Sequence, residues 1–178
     1  ELDQVLRYAS TRKYPERNRA IILTSFLTGM RVAEIASLKL GDVVNDDGTI
    51  KNEIKLSAAQ TKGKHPRTVF VSQRLQTELA NYLTTRHAKG ADIPFFHTDH
   101  RLRFSPNGLC VWFHQLYKNV GISGGSSHSG RKFFITTLAN KGIGVRILAS
   151  LAGHRSIAVT QRYIDVNDEQ KRNAVELI

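Results

Sequence analysis

Apolar residues recur at helical spacing from the start of the chain. Leu2, Val5, Leu6 and Ala9 share one face, which predicts an amphipathic helix over residues 2 to about 12. Pro15 suits the first turn of a second helix, the run from Ala20 to Thr28 is strongly apolar, and Gly29 is placed to end it. Val32, Ile35, Ala36 and Leu38 give a third helical stripe, on which Arg31 and Glu34 lie three apart and can share a face. After Gly41 the period shortens. Asp42-Val43-Val44 and Ile50 to Leu56 flank the turn signal Asp46-Asp47-Gly48, and Thr68-Val69-Phe70-Val71 adds a third short strand. Between the second and third strands lies the basic loop Thr61-Lys62-Gly63-Lys64-His65-Pro66-Arg67. A small antiparallel sheet with a cationic hairpin tip is therefore expected inside a helical chain.

The helical period then returns. Leu75, Leu79, Tyr82 and Leu83 mark one helix, and Ser105-Pro106 caps another that runs through Trp112, Phe113 and Leu116. Gly121 to Ser127 reads as a loop. Further helices are expected over about 128–140, 144–152, 156–164 and 167–177, with Ala174, Val175 and Ile178 as apolar positions of the last. No internal repeat, low-complexity tract or second domain is visible, and 178 residues suffice for one well-buried domain.

Charge changes the picture. Twenty-six Lys+Arg stand against fifteen Asp+Glu, a formal +11. Such an excess favours a polyanionic partner, because each Lys or Arg that neutralises a phosphate releases a condensed counterion. Cys110 is the single cysteine, so an intrachain disulfide is excluded, and its apolar neighbours suit a small buried hydrophobe better than a reactive thiol. No run approaches the roughly 18 apolar residues of a membrane span, and no signal peptide is visible, so a cytoplasmic location is expected. The sequence opens on Glu1 rather than Met, which reads as a fragment of something longer.

Three local patterns occur in order. The first is Thr28-Gly29-Met30-Arg31-Val32-Ala33-Glu34, the second His128-Ser129-Gly130-Arg131. The third is Leu151-Ala152-Gly153-His154-Arg155, followed by Thr160-Gln161-Arg162-Tyr163. Each alone has an ordinary explanation: a helical ion pair for Arg31 and Glu34, a helix cap for His128, a loop histidine for His154, a packing tyrosine for Tyr163, a solvated hairpin tip for Lys62 and Lys64. The ordered set, with a Lys-Gly hairpin between the first and second patterns, resembles the catalytic domain of the tyrosine recombinase (phage integrase) family over nearly the whole chain.

That resemblance implies the mainly α catalytic-core fold of the DNA breaking-rejoining enzymes, with a small three-stranded antiparallel sheet. It implies one catalytic domain over residues 1–178, ending in a tail helix over 167–178, without the separate DNA-binding domain that normally precedes it. Six positions carry over as catalytic: Arg31, Lys62, His128, Arg131, His154 and the nucleophile Tyr163, with Glu34 as support for Arg31. Lys64 competes with Lys62 for the role of general acid. The chemistry accounts for the residue types. Attack on a phosphodiester drives charge onto the non-bridging oxygens, and planar guanidinium forks donate two parallel hydrogen bonds to such oxygens. A tyrosine hydroxyl is a weak acid whose proton must leave as the bond forms, and nearby cations favour its phenolate.

The implied product is a 3′-phosphotyrosyl link that conserves the energy of the broken bond, so neither a metal nor a nucleotide cofactor is implied. The chain carries no G-x-x-x-x-G-K-S/T loop and no H-E-x-x-H or Cys/His metal pattern. Double-stranded DNA and further protomers of a tetramer are the expected partners, in a bacterial or phage setting. Lys64, Arg67, Arg101, Arg103, Lys118, Lys132, Arg155 and Arg162 are candidate phosphate contacts. A type IB topoisomerase, which uses similar chemistry without strand exchange, and a DNA-binding module that no longer uses the chemistry remain the alternative readings. The tail helix is open to docking on its own domain or on a neighbouring protomer.

Overall fold

The computed structural model describes residues 1–86, 90–100, 103–164 and 168–176. The elements run α1 (Leu2–Ser10), α2 (Pro15–Thr28), α3 (Val32–Ser37), α4 (Leu40–Val43), β1 (Glu53–Leu56), a 3₁₀ turn (Ala58–Gln60), β2 (Arg67–Phe70), α5 (Gln73–Thr84), α6 (Pro106–Val120), α7 (Ser129–Asn140), α8 (Val145–Ala152), α9 (Ile157–Gln161) and α10 (Asp168–Val175). The mainly helical expectation is met. Helix α2 is the axis of the fold, in contact with α1, α3, α5 and α7. Its burial all round follows from its run of Ala20, Ile21, Ile22 and Leu23, all fully buried.

The sheet has two strands, not the expected three. β1 and β2 pair antiparallel, with Ile54 opposite Val69 and Leu56 opposite Arg67. Ile54, Leu56 and Val69 face the core while Glu53, Lys55 and Phe70 face out. Asp42-Val43-Val44 does not form a strand, because α4 covers its first two residues. The Asp42 carboxylate accepts the Lys39 backbone N–H at 2.9 Å and so caps this turn. The Leu40 and Gly41 amides donate to Ile93 O and Ala91 O, each at 2.9 Å, and the Asp42 and Val44 amides to Lys39 O and Leu40 O, so the donors here close a turn rather than a ladder. A single bridge between Val44 and Ile50 is what remains of the pairing around the Asp46-Asp47-Gly48 turn.

The residues around 90–96 return to the core although no helical or strand period marks them. Phe95 and Phe96 are fully buried against Tyr82, whose hydroxyl donates to Phe95 O at 3.1 Å. The Phe95 amide donates to Leu38 O at 2.7 Å, which ties this segment to the end of α3. Helix α6 starts as its sequence predicts, with Ser105 Oγ accepting the Gly108 amide at 2.9 Å. Cys110 is half-buried against the core. Helix α9 is shorter than the expected 156–164 and stops at Gln161. Tyr163 therefore lies in the turn beyond it, with its amide donating to Thr160 O at 3.0 Å. The tail helix is present as α10, with Ala174 and Val175 exposed; Ile178 lies outside the described residues. Among the described residues, no helix is long and apolar enough to cross a membrane.

Helices α2 and α7 approach closely at Gly130, where an added Cβ would lie 2.3 Å from Ser25 Oγ and 3.0 Å from Phe26 Cδ2. Gly130→Ala is expected to destabilise the protein by about 1–3 kcal/mol, as overpacked cores do. Urea unfolding checks this, and a midpoint equal to that of the wild type would contradict it.

Candidate active site

Residue Arg31 is the last before α3, and Glu34 folds back over the helix start to meet it. Glu34 Oε2 accepts the Arg31 backbone N–H at 2.8 Å, and Oε1 accepts Arg31 Nη1 at 3.1 Å. The Glu34 side chain is completely buried. From β2, Arg67 closes the other side, with Nη2 donating to Oε2 at 2.8 Å and Nε to Oε1 at 3.4 Å. Burial pushes the Glu34 carboxyl up, but the Arg67 hydrogen bond and charge and the Arg31 amide and charge outweigh it. The group is held below its ordinary value and stays ionised.

Three arginines from separate segments then converge on the end of α8. Arg67 Nη1 donates to Leu151 O at 2.9 Å, Arg131 Nη2 to Ala152 O at 2.6 Å, and Arg31 Nη2 to Gly153 O at 3.3 Å. These carbonyls lie at the partly negative end of the helix, where backbone acceptors need outside donors. Arg131 is also tied through Nη1 to Gly29 O at 2.6 Å, and only 4% of its surface is exposed. Burial and then the Arg31 charge lower its guanidinium to about 10, which leaves it cationic at neutral pH.

Gly153, with φ of 65°, ends α8 in the left-handed region that favours glycine. A Cβ there would also lie 2.6 Å from Arg67 Cδ, so the arginine passes where a side chain would stand. His154 follows directly. Its Nδ1 lies 2.9 Å from Thr160 Oγ1, and its ring stacks on Tyr163 with centroids 6.0 Å apart and planes at 18°. Burial, then the charges of Arg131, Arg31 and Arg67, lower the ring to about 4, so His154 is neutral at physiological pH. Among the described residues, no group of three or more His, Cys, Asp or Glu is placed to hold a metal ion.

Five of the residues singled out from sequence thus meet in one cluster: Arg31, Glu34, Arg131, His154 and Tyr163. His128 stands at the start of α7, one turn before Arg131, and is exposed; its carbonyl accepts the Lys132 amide at 2.9 Å. Lys62 is exposed in the turn between β1 and β2, and so is Lys64, whose φ is 52°. Among the described residues, no hydrogen bond or ion pair joins His128 or Lys62 to the cluster.

Arg67, expected among the phosphate contacts, turns inward instead, with its side chain 10% exposed. Lys64, Arg103, Lys118, Lys132, Arg155 and Arg162 are all exposed. Arg101 lies outside the described residues. Thr160 is a site residue that sequence reasoning passed over. The signal available was its position three residues before Tyr163, which an apolar pattern does not mark.

The phage integrase family model matches residues 1–170. Tyrosine recombinase XerA of Pyrococcus furiosus is 33% identical over 167 residues, covering 90% of this chain and 54% of that protein. A crystal structure of XerA recombinase superposes with a TM-score of 0.77 at 26% identity, over 99% of this chain and 62% of the other. XerH site-specific recombinase, bound to palindromic difH substrate in a post-cleavage complex, shares the fold with a TM-score of 0.75 at 21% identity, over 98% of this chain and 50% of the other. The chain spans a little over half the length of the curated relatives it matches.

Replacing the fully buried Glu34 by Ala leaves Arg67 without its anion, and is expected to cost about 3–5 kcal/mol in urea unfolding. Acid should act through two groups. His154 in the unfolded chain takes up a proton near 6.5 but in the folded chain only near 4, so stability falls as pH drops through that window. The Glu34 contribution is present above the ordinary carboxylate value of 4.5 and is lost as pH falls through its lower folded value. Unfolding free energies measured from pH 7 to pH 3 check both. A His154→Gln chain should be flatter above pH 4, and wild-type stability that does not change with pH would contradict the assignment.

Proposed function

The chain belongs to the phage integrase family, the tyrosine recombinases, and from that premise we propose that it is the catalytic domain of a site-specific DNA recombinase. One observation carries the reading. Two arginines and a neutral histidine are held by buried and partly buried hydrogen bonds beside a tyrosine that lies outside regular helix. An anionic phosphate suits such a place, because the donors are fixed before it arrives and need no rearrangement as charge grows.

In the proposed reaction the Tyr163 hydroxyl attacks a DNA phosphorus and loses its proton. The bond from phosphorus to the 5′ oxygen breaks, giving a 3′-phosphotyrosyl link and a free 5′ hydroxyl. Arg31 and Arg131 stabilise the non-bridging oxygens, and His154 adds a third donor. Glu34 and Arg67 aim Arg31 without touching substrate. Lys62, exposed on its hairpin turn, is proposed to protonate the departing 5′ oxygen, with Lys64 two residues away as the competitor. His128 is proposed to hold the phosphate or assist proton transfer from its place one turn before Arg131. A 5′ hydroxyl from a partner strand reverses the chemistry, so the balance needs no added nucleotide.

Double-stranded DNA and further copies of the same protein are the proposed partners. The exposed cations Lys64, Arg103, Lys118, Lys132, Arg155 and Arg162 supply a sequence-independent, salt-sensitive share of DNA binding. A nicked suicide substrate carrying the recombination site tests the reading. The wild type should form a covalent protein–DNA adduct and Tyr163→Phe none. Arg131→Ala should slow adduct formation by about 10²–10³. An equal yield of adduct from Tyr163→Phe would overturn the nucleophile, and no adduct from the wild type would overturn the function.

A further inference from the structure

Thr160 is fully buried and touches both reacting side chains' supports. Its Oγ1 lies 2.9 Å from His154 Nδ1, and its carbonyl accepts the Tyr163 amide at 3.0 Å. We propose that Thr160 is a positioning residue that donates its hydroxyl hydrogen to His154 Nδ1 and thereby fixes the Nε2–H tautomer, which presents Nε2–H to the scissile phosphate. The proposal rests on the reading of this site as a DNA strand-transfer centre.

The direction of the hydrogen bond follows from an inventory of donors and acceptors. A neutral imidazole has one N–H and one bare nitrogen, and the partner of one nitrogen decides the state of the other. His154 is neutral because it is partly buried and faces Arg131, Arg31 and Arg67, with Tyr163 stacked on its ring. If Nδ1 carried the proton, the Thr160 hydroxyl would accept it and its own hydrogen would have no other acceptor among the described residues. A buried donor left without a partner costs about 1–3 kcal/mol. If Nδ1 is bare, the hydroxyl donates to it and both groups are satisfied. The remaining nitrogen, Nε2, then carries the hydrogen, which is the form an anionic oxygen can use.

The same residue couples the two partners in a second way. Thr160 lies in the last turn of α9, and its carbonyl receives the Tyr163 amide from just beyond that helix. Histidine orientation and tyrosine placement are therefore set from one buried residue, although the histidine and tyrosine come from different ends of the loop and helix between them.

Threonine has two near-isosteres that separate this role from packing. Thr160→Val keeps the volume and loses the hydroxyl; Thr160→Ser keeps the hydroxyl and loses a methyl. Single-turnover cleavage of the nicked suicide substrate should be within about 2-fold of wild type for Thr160→Ser and slower on the order of 10-fold for Thr160→Val, with DNA affinity unchanged in both. Long-range ¹⁵N–¹H correlation spectra of the free chain at pH 7 give a second readout that needs no catalysis. Wild type and Thr160→Ser should show His154 as a single Nε2–H tautomer, and Thr160→Val a mixture. A slow Thr160→Ser with a normal Thr160→Val would overturn the proposal in favour of packing, and so would an Nδ1–H ring in the wild type. If the wild type forms no adduct at all, the function fails, while the spectra still decide the role of Thr160.

Discussion

A carboxylate with no exposure to water sits between two arginines, and the geometry of the site depends on how that charge is met. Glu34 is committed at both oxygens, to the start of its own helix and Arg31 on one side and to Arg67 on the other. A buried anion of this kind is tolerated only when its partners are close and correctly directed. The requirement therefore works in reverse. Once Glu34 is buried, Arg31 has a fixed place at the start of α3, and the base of the β1–β2 hairpin is drawn to Glu34 through Arg67.

The end of α8 supplies the complementary constraint. Its final carbonyls need donors, and a cluster of cations needs partial negative charge around it. Leu151, Ala152 and Gly153 meet Arg67, Arg131 and Arg31 in turn, so each deficit offsets the other. Three guanidinium groups can then stand close together, with Glu34 and these carbonyls around them. His154 emerges from that same helix end, within the field of all three. Its neutrality is thus a consequence of the arginine cluster as well as of burial.

The site divides into interior and exposed parts, a division that suits the proposed strand-transfer reaction. Arg131 and Glu34 are fixed in the interior, whereas Lys62 and His128 stand at the surface on a hairpin turn and a helix start. Groups that stabilise charge benefit from being set in advance, since no reorganisation is needed at the moment of reaction. The proton-transfer roles proposed for Lys62 and His128 would gain from such an exposed position.

Much of this was legible in the residues. Periodicity marked α1, α2, α5 and α6 because each presents a continuous apolar face or run, and Gly29 and Ser105 punctuated them through backbone and cap chemistry. The candidate site residues were legible through ordered motifs. Tertiary structure alone decided the rest. Asp42-Val43-Val44 reads as a strand, but the Asp42 and Val44 amides close a turn onto Lys39 O and Leu40 O, while Leu40 and Gly41 just before it donate to the distant carbonyls of Ile93 and Ala91. Arg67 looked like any cation of a basic loop until the burial of Glu34, 33 residues earlier, drew it inward. Thr160 stood in the Tyr163 pattern without a role, because its importance is one hydrogen bond to a ring six residues away across a loop. Sequence determines what each side chain can donate or accept; only the folded chain decides which partners come within reach, and burial then makes that choice binding.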